Sequence, residues 1–304
     1  MFRKLAPLAL VVVVAGCGGG GGPKQSARPS LFRYDASAPL GFRDRGRVNK
    51  DYPIQVRDVS YAAPGGRVTA YLVAPPGKGP FPAVLYLHGT GDNRSELTVP
   101  AAWLAARGAV GLAIDSAFVH TRGSGPADPL AHLRRERDLT VQTIVDLRRG
   151  VDLLRSLPQV DPKRIGFVGF SEGAKLGAIL AGVEHRIRAF DLMSAGSPTV
   201  ESFATAAPSG LQGPVARVLH QIDPVRYVRR AAPSALFFQD GSRDEYVPRA
   251  QLERVARAGS RPKLVHWYAA GHSLNKAAFR DQLVWLSREL GIHGPAVRGA
   301  ATGP

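Results

Sequence analysis

The chain has 304 residues, 44% of them hydrophobic and 21% charged, enough for one sizeable buried core. Its formal charge is +16, from 40 Lys and Arg against 24 Asp and Glu. The arginines are scattered and not interleaved with aromatics, which speaks against a nucleic-acid groove and leaves no nucleic-acid partner expected. A single cysteine, Cys17, excludes an intrachain disulfide and any metal site built on cysteines.

In chain order, Met1-Phe2-Arg3-Lys4 is a basic start, and Leu5 to Gly16 is an apolar run too short to span a bilayer comfortably. That is the pattern of an export signal, placed at 1–16. The residues Val14-Ala-Gly-Cys17 resemble a bacterial lipoprotein box. The resemblance implies cleavage before Cys17, lipid on its thiol, and a membrane anchor at the cell envelope, on the periplasmic or outer face. The other reading is a plain secreted protein with an incidental cysteine. Residues 17–45, rich in Gly, Pro, Ser and Arg, read as a flexible linker, 46–293 as the folded domain, and 294–304 as a disordered tail.

The domain opens with two alternating runs, Ile54 to Ala63 and Arg67 to Pro75, joined by Pro64-Gly65-Gly66. They read as an antiparallel hairpin at a sheet edge. Near-continuous apolar runs at Pro82–Gly89, Ala109–Asp115, Arg164–Phe170 and Arg188–Gly196 read as strands buried on both faces. Two further strands are expected at Ser234–Gly241 and Lys263–Gly271. Helices are expected near 97–107, 130–157, 172–183, 248–258 and 276–290. Strand–helix alternation of this kind predicts a mostly parallel, twisted sheet of about eight strands with helices on both faces, a three-layer α/β sandwich. Residues 197–222 carry no clear period and could be a cap or lid.

Gly169-Phe-Ser171-Glu-Gly173 is a G-x-S-x-G pentapeptide between a buried strand and a small-residue helix. The sharp turn needs glycine for steric room, and it would set the Ser171 hydroxyl beside a helix N-terminus. Serine is a weak nucleophile and needs a base. Five histidines follow it. His272, in Ala-Ala-Gly-His272-Ser-Leu after the last expected strand, is the candidate, ahead of His266 within that strand and His293 by the tail. Asp244, in Gln-Asp-Gly-Ser-Arg-Asp244-Glu-Tyr-Val-Pro, is the candidate acid; Asp240 and Glu245 are its neighbours, and Asp191 on an earlier strand is the outside choice. The loop His88-Gly-Thr90-Gly-Asp92 is placed to supply a second backbone donor. That gives the N–H groups of Thr90 and Glu172 as the expected oxyanion hole, with His88 bracing the loop.

Together these motifs resemble the α/β-hydrolase superfamily over about residues 50–290. Leu157 to Gly173 looks most like the branch of dienelactone hydrolases, acetyl-esterase-like proteins and prolyl-oligopeptidase-type catalytic domains. The nucleophile here is Ser rather than the Cys of dienelactone hydrolases, and about 50 residues before the sheet cannot hold a propeller. The resemblance implies a serine hydrolase cleaving small-molecule carboxylic esters through an acyl-enzyme, with no metal or organic cofactor. The rival readings are a peptidase or amidase on the same triad, and a catalytically silent surface binding protein.

Overall fold

The computed structural model describes residues 30–48, 54–119, 121 and 125–294. The expected export signal, Cys17 and the tail from 295 onward lie outside the described residues. Nine strands form one sheet in the order β1-β2-β3-β5-β4-β6-β7-β8-β9. The first three, β1 (Arg43–Arg47), β2 (Val56–Ala63) and β3 (Gly66–Val73), are antiparallel, and β3 joins β5 (Val110–Ile114) antiparallel. From β5 onward β4 (Phe81–Leu87), β6 (Val160–Phe170), β7 (Ala189–Met193), β8 (Ala235–Gly241) and β9 (Lys263–Tyr268) run parallel. The sheet therefore has one strand more than the sequence suggests. Arg43–Arg47 has no apolar alternation and is recruited only by pairing with the edge of β2.

The parallel strands are apolar at successive positions because both of their faces are covered. On β4, Leu85 and Leu87 pack with Ile144, Leu147 and Val151 of α2 (Pro129–Ser156) and with Leu176 of α3 (Glu172–Ala181). Val84 and Tyr86 turn the other way, toward Ala101 and Leu104 of α1 (Thr98–Ala106) and Leu286 of α8 (Lys276–Leu290). Each such side chain, fully withdrawn from water, contributes about 1.5–3 kcal/mol. α2 starts where Asp128 accepts the Ala131 N–H at 2.6 Å with Pro129 in the first turn, and it stops before Pro158.

The assignment of 17–45 to a flexible linker is corrected over its second half. Phe32 is 1% exposed and packs edge-on to Tyr227 at 5.5 Å. Arg149, 2% exposed, donates to the carbonyls of Ala38 (2.8 Å) and Ala62 (3.3 Å) and pairs with Asp152 at 3.0 Å, while Arg148 reaches the Phe32 carbonyl at 2.7 Å. The linker-like composition hides these anchors: guanidiniums that read as solvated charge instead satisfy backbone carbonyls across the docked segment.

Segment 197–222 forms α4 (Val200–Thr205) and α5 (Gln212–Ile222), followed by α6 (Pro224–Val228). Arg137 of α2 donates to Gln221 at 2.6 Å, and Arg254 of α7 (Arg249–Ala258) pairs with Asp223 at 2.9 Å. With Glu172 and Lys175, these helices line a cavity of about 240 Å³.

Asp191 lies inside the sheet on β7, fully buried, with one oxygen accepting from Gln282 at 2.7 Å. Burial pushes its pKa up to about 8, against a partial opposing pull from the Gln282 bond. A carboxyl that keeps its proton in the fold and loses it in the unfolded chain costs stability as pH rises. The penalty is absent below about pH 4, grows from there to pH 8, and is constant above. Every tenfold change in proton affinity between the two states is worth about 1.4 kcal/mol, so the total is several kcal/mol. Asp191→Asn, which can still accept the Gln282 bond, is expected to be more stable than the parent at pH 8–9 and equal to it near pH 4, read from denaturant midpoints across pH. A difference independent of pH would refute it.

Candidate active site

Three chain segments converge at the C-terminal ends of β6, β8 and β9. Ser171 sits between β6 and α3 with φ +52° and ψ −113°, a conformation rarely tolerated by a side-chain-bearing residue. The flanking glycines make the turn possible. A Cβ at Gly169 would strike the backbone of Gly173, and one at Gly173 would overlap the Leu87 and His88 carbonyls of β4 and the loop after it. The turn thus packs directly on the neighbouring strand, and the Ser171 N–H bonds the Met193 carbonyl at 2.8 Å.

The structure brings Ser171, His272 and Asp244 into one line. Ser171 Oγ lies 2.9 Å from His272 Nε2, and His272 Nδ1 lies 2.8 Å from Asp244 Oδ2. Asp244 is held in turn by the Tyr246 and Val247 N–H groups, which both donate to its Oδ1 at 2.9 and 2.8 Å. A carboxylate only accepts, so Nδ1 carries the imidazole proton and Nε2 is left to accept from the serine hydroxyl. His272 is largely buried, its ring between Phe170 (5.2 Å between centroids) and Tyr246 (5.3 Å).

Other candidates fall away. His266 is exposed, stacks on Tyr268 at 4.4 Å and faces Asp281 at 3.6 Å. Asp191 serves the core. Asp240 is buried near the end of β8, and burial followed by the Asp244 charge pushes its pKa up to about 7. It makes no hydrogen bond through either carboxyl oxygen, so it does not shape the turn in that way.

Thr90 and Glu172, the expected donors, line a common cavity of about 570 Å³ with Gly89, Gly91, Phe118, Arg135, Lys175 and others. Glu172 opens α3, so its N–H has no intrahelical acceptor. Its side chain pairs with Lys175 at 2.8 Å. His88 braces the loop: its Nε2 accepts from the Ser116 N–H at 3.0 Å and its Nδ1 contacts the Gly89 carbonyl at 2.8 Å.

Several supports escape sequence reading. Glu96 accepts the Gly89 N–H at 2.7 Å, its pKa raised by burial. Asp115 receives the Arg94 backbone N–H (2.8 Å), the Arg94 guanidinium (2.6 Å) and the Thr69 hydroxyl (2.6 Å), pinning the loop that carries Thr90. Glu245 accepts the His272 N–H at 3.0 Å, and Ser194 Oγ donates to the His272 carbonyl at 2.9 Å. Only the clustering of charge in Arg94–Glu96 and Asp244-Glu245 hints at these roles. Among the described residues, no three or more His, Cys, Asp or Glu side chains gather as a metal site.

A model of the acetyl xylan esterase family matches residues 48–198, about half of the chain. Among curated proteins, Esterase FrsA of Enterobacter sp. (strain 638) is 28% identical over 134 residues, covering 43% of this chain and 30% of that protein. Esterase FrsA of Salmonella newport (strain SL254) is 30% identical over the same length and share. The chain thus spans less than a third of the length of these relatives. Among solved structures, the acetyl xylan esterase from Paenibacillus sp. R4 superposes with TM-score 0.68 at 24% identity, over 83% of this chain and 90% of that one. Acetyl xylan esterase 1 from Thermoanaerobacterium sp. JW/SL YS485 gives 0.67 at 19% identity, over 84% and 89%. At these identities the likeness shows the fold.

Proposed function

We propose that this chain, a member of the α/β-hydrolase superfamily, is a serine carboxylesterase working through an acyl-enzyme. The observation that carries the reading is the unbroken line from Asp244 through His272 to Ser171, with the serine held at a strained strand-to-helix turn. The esterase relatives support it. Ser171 Oγ attacks the ester carbonyl as His272 Nε2 takes its proton, forming the Oγ–carbon bond and a tetrahedral oxyanion. The N–H groups of Thr90 and Glu172 stabilise that oxyanion, and Asp244 stabilises the imidazolium. His272 then returns the proton to the departing alcohol. Water, deprotonated by His272, releases the acid and frees Ser171.

We place the alcohol and acyl groups in the cavity beside Thr90 and Glu172. Acetyl esters are the first substrates to try, because the family model and the two superposed structures carry that name. The wild-type protein is expected to hydrolyse p-nitrophenyl acetate at least about a hundredfold faster per active site than acetyl p-nitroanilide, consistent with an esterase pocket. A fluorophosphonate should add the mass of one probe, at Ser171. Preference for the anilide would make the protein an amidase. Labelling that persists in Ser171→Ala would move the nucleophile, and no labelling or turnover at all would leave a silent binding protein.

For Cys17 we propose lipidation and a cell-envelope anchor, supported by the Val14-Ala-Gly-Cys17 pattern. Metabolic labelling with an alkynyl fatty acid is expected to mark the wild type and not Cys17→Ser. Equal signal in both would end that reading.

A further inference from the structure

A third cavity, of about 530 Å³, lies between α1 and α8 and shares no lining residue with the cavity beside Thr90 and Glu172. One wall is Val99 and Trp103 of α1, a turn apart, with Arg107 just beyond the helix end. The other is Phe279 and Leu283 of α8, with Lys276, Arg280 and Val284 at successive turns along its rim. Phe170 and Met193 close the floor. None of Ser171, His272, Thr90 or Glu172 lines it. Val284 is 63% exposed and Val99 37%, so the groove opens to water along apolar edges.

Its charge is one-sided. Lys276 and Arg280 form no ion pair among the described residues, and Arg107 Nε is buried with no hydrogen-bond partner. The single carboxyl in the lining, Glu96, is turned to the Gly89 N–H and disfavoured as an anion by burial. Lys276 and Arg280 are exposed at the mouth of the apolar channel and Arg107 is part-buried beside it, so an anion seated there meets three positive charges with no carboxylate competing for them. A cavity of this size suits a single-tailed molecule.

We propose that the α1–α8 groove binds the anion of a long-chain fatty acid, its chain along Trp103, Phe279 and Leu283 and its carboxylate against the cations of the rim. The binding is separate from turnover at Ser171.

Trp103 reports occupancy. The wild-type protein is titrated with dodecanoate below its micelle concentration while tryptophan fluorescence is followed, alongside dodecanol and dodecyltrimethylammonium. Saturable binding of dodecanoate is expected, about tenfold or more tighter than either control, with the signal lost in Trp103→Phe. Lys276→Glu/Arg280→Glu is expected to weaken Kd about tenfold, a difference of about 1.4 kcal/mol, with p-nitrophenyl acetate hydrolysis unchanged. Leu283→Trp, which fills the channel, should abolish binding while leaving that hydrolysis intact. Equal affinity for the cationic amphiphile, indifference to the charge reversal, or a signal that survives in Trp103→Phe would each overturn the proposal. Because the readout is binding, it stands or falls independently of whether Ser171 hydrolyses esters.

Discussion

Ser171→Ala is expected to lower kcat for p-nitrophenyl acetate by about 10⁴–10⁶-fold with KM changed little. The serine oxygen forms the bond that defines the intermediate, so no neighbouring group can replace it. His272 in the variant could still activate water, and the Thr90 and Glu172 N–H groups could still receive an oxyanion, so a residual rate of about 10³–10⁴ over water should remain. The fold should survive. Alanine keeps the Ser171 N–H bond to Met193 and the Cβ already accommodated beside Gly89. The positive φ is the one backbone cost, and the wild type already bears it. Adding Asp244→Asn to Ser171→Ala should reduce the rate little further, because the three residues act as a unit. Steady-state kinetics on purified single and double variants, with thermal melts beside them, measure both points. A Ser171→Ala protein retaining a tenth or more of the parent rate would remove the serine from the mechanism.

How much of the fold and the site is legible in the sequence differs from residue to residue. The buried strands are readable because α8, α1, α2 and α3 cover both faces of the sheet, leaving no polar face to break the apolar run. Ser171, Asp244 and His272 are readable because each stands where a strand ends and a Gly-marked turn begins, in an order the chain itself displays. What the sequence conceals depends on partners distant in the chain. Arg149 looks like surface charge until its carbonyl partners at 38 and 62 are known. Asp115 looks like a strand terminus until Arg94 and Thr69 close on it. β1 has no pattern of its own and exists because β2 offers an edge. The α1–α8 groove is invisible to periodicity, since Trp103 and Leu283 read as ordinary core positions on two helices far apart in sequence.

Asp244→Asn is the second large effect, expected to lower kcat about 10⁴-fold while the protein folds normally. The direction follows from donors and acceptors around one carboxylate. Asp244 Oδ1 accepts from two backbone N–H groups, Tyr246 and Val247, and Oδ2 accepts from His272 Nδ1. An asparagine has one oxygen to offer. If that oxygen stays with the two N–H donors, the amide NH₂ faces His272 Nδ1. The imidazole must then present a lone pair at Nδ1 and carry its proton on Nε2, toward Ser171 Oγ, where it can no longer take the serine proton. If the amide flips, its NH₂ faces two N–H donors with no acceptor between them, which costs both of those bonds. The first arrangement is therefore favoured, and it holds the histidine in the unreactive tautomer. The variant should bind substrate with KM close to the parent and lose its rate across pH 6–8. Asp244→Glu, too long for the same cradle, should not rescue it. A kcat within about tenfold of the parent would show that Asp244 does not set the tautomer of His272, whatever its distance from the ring.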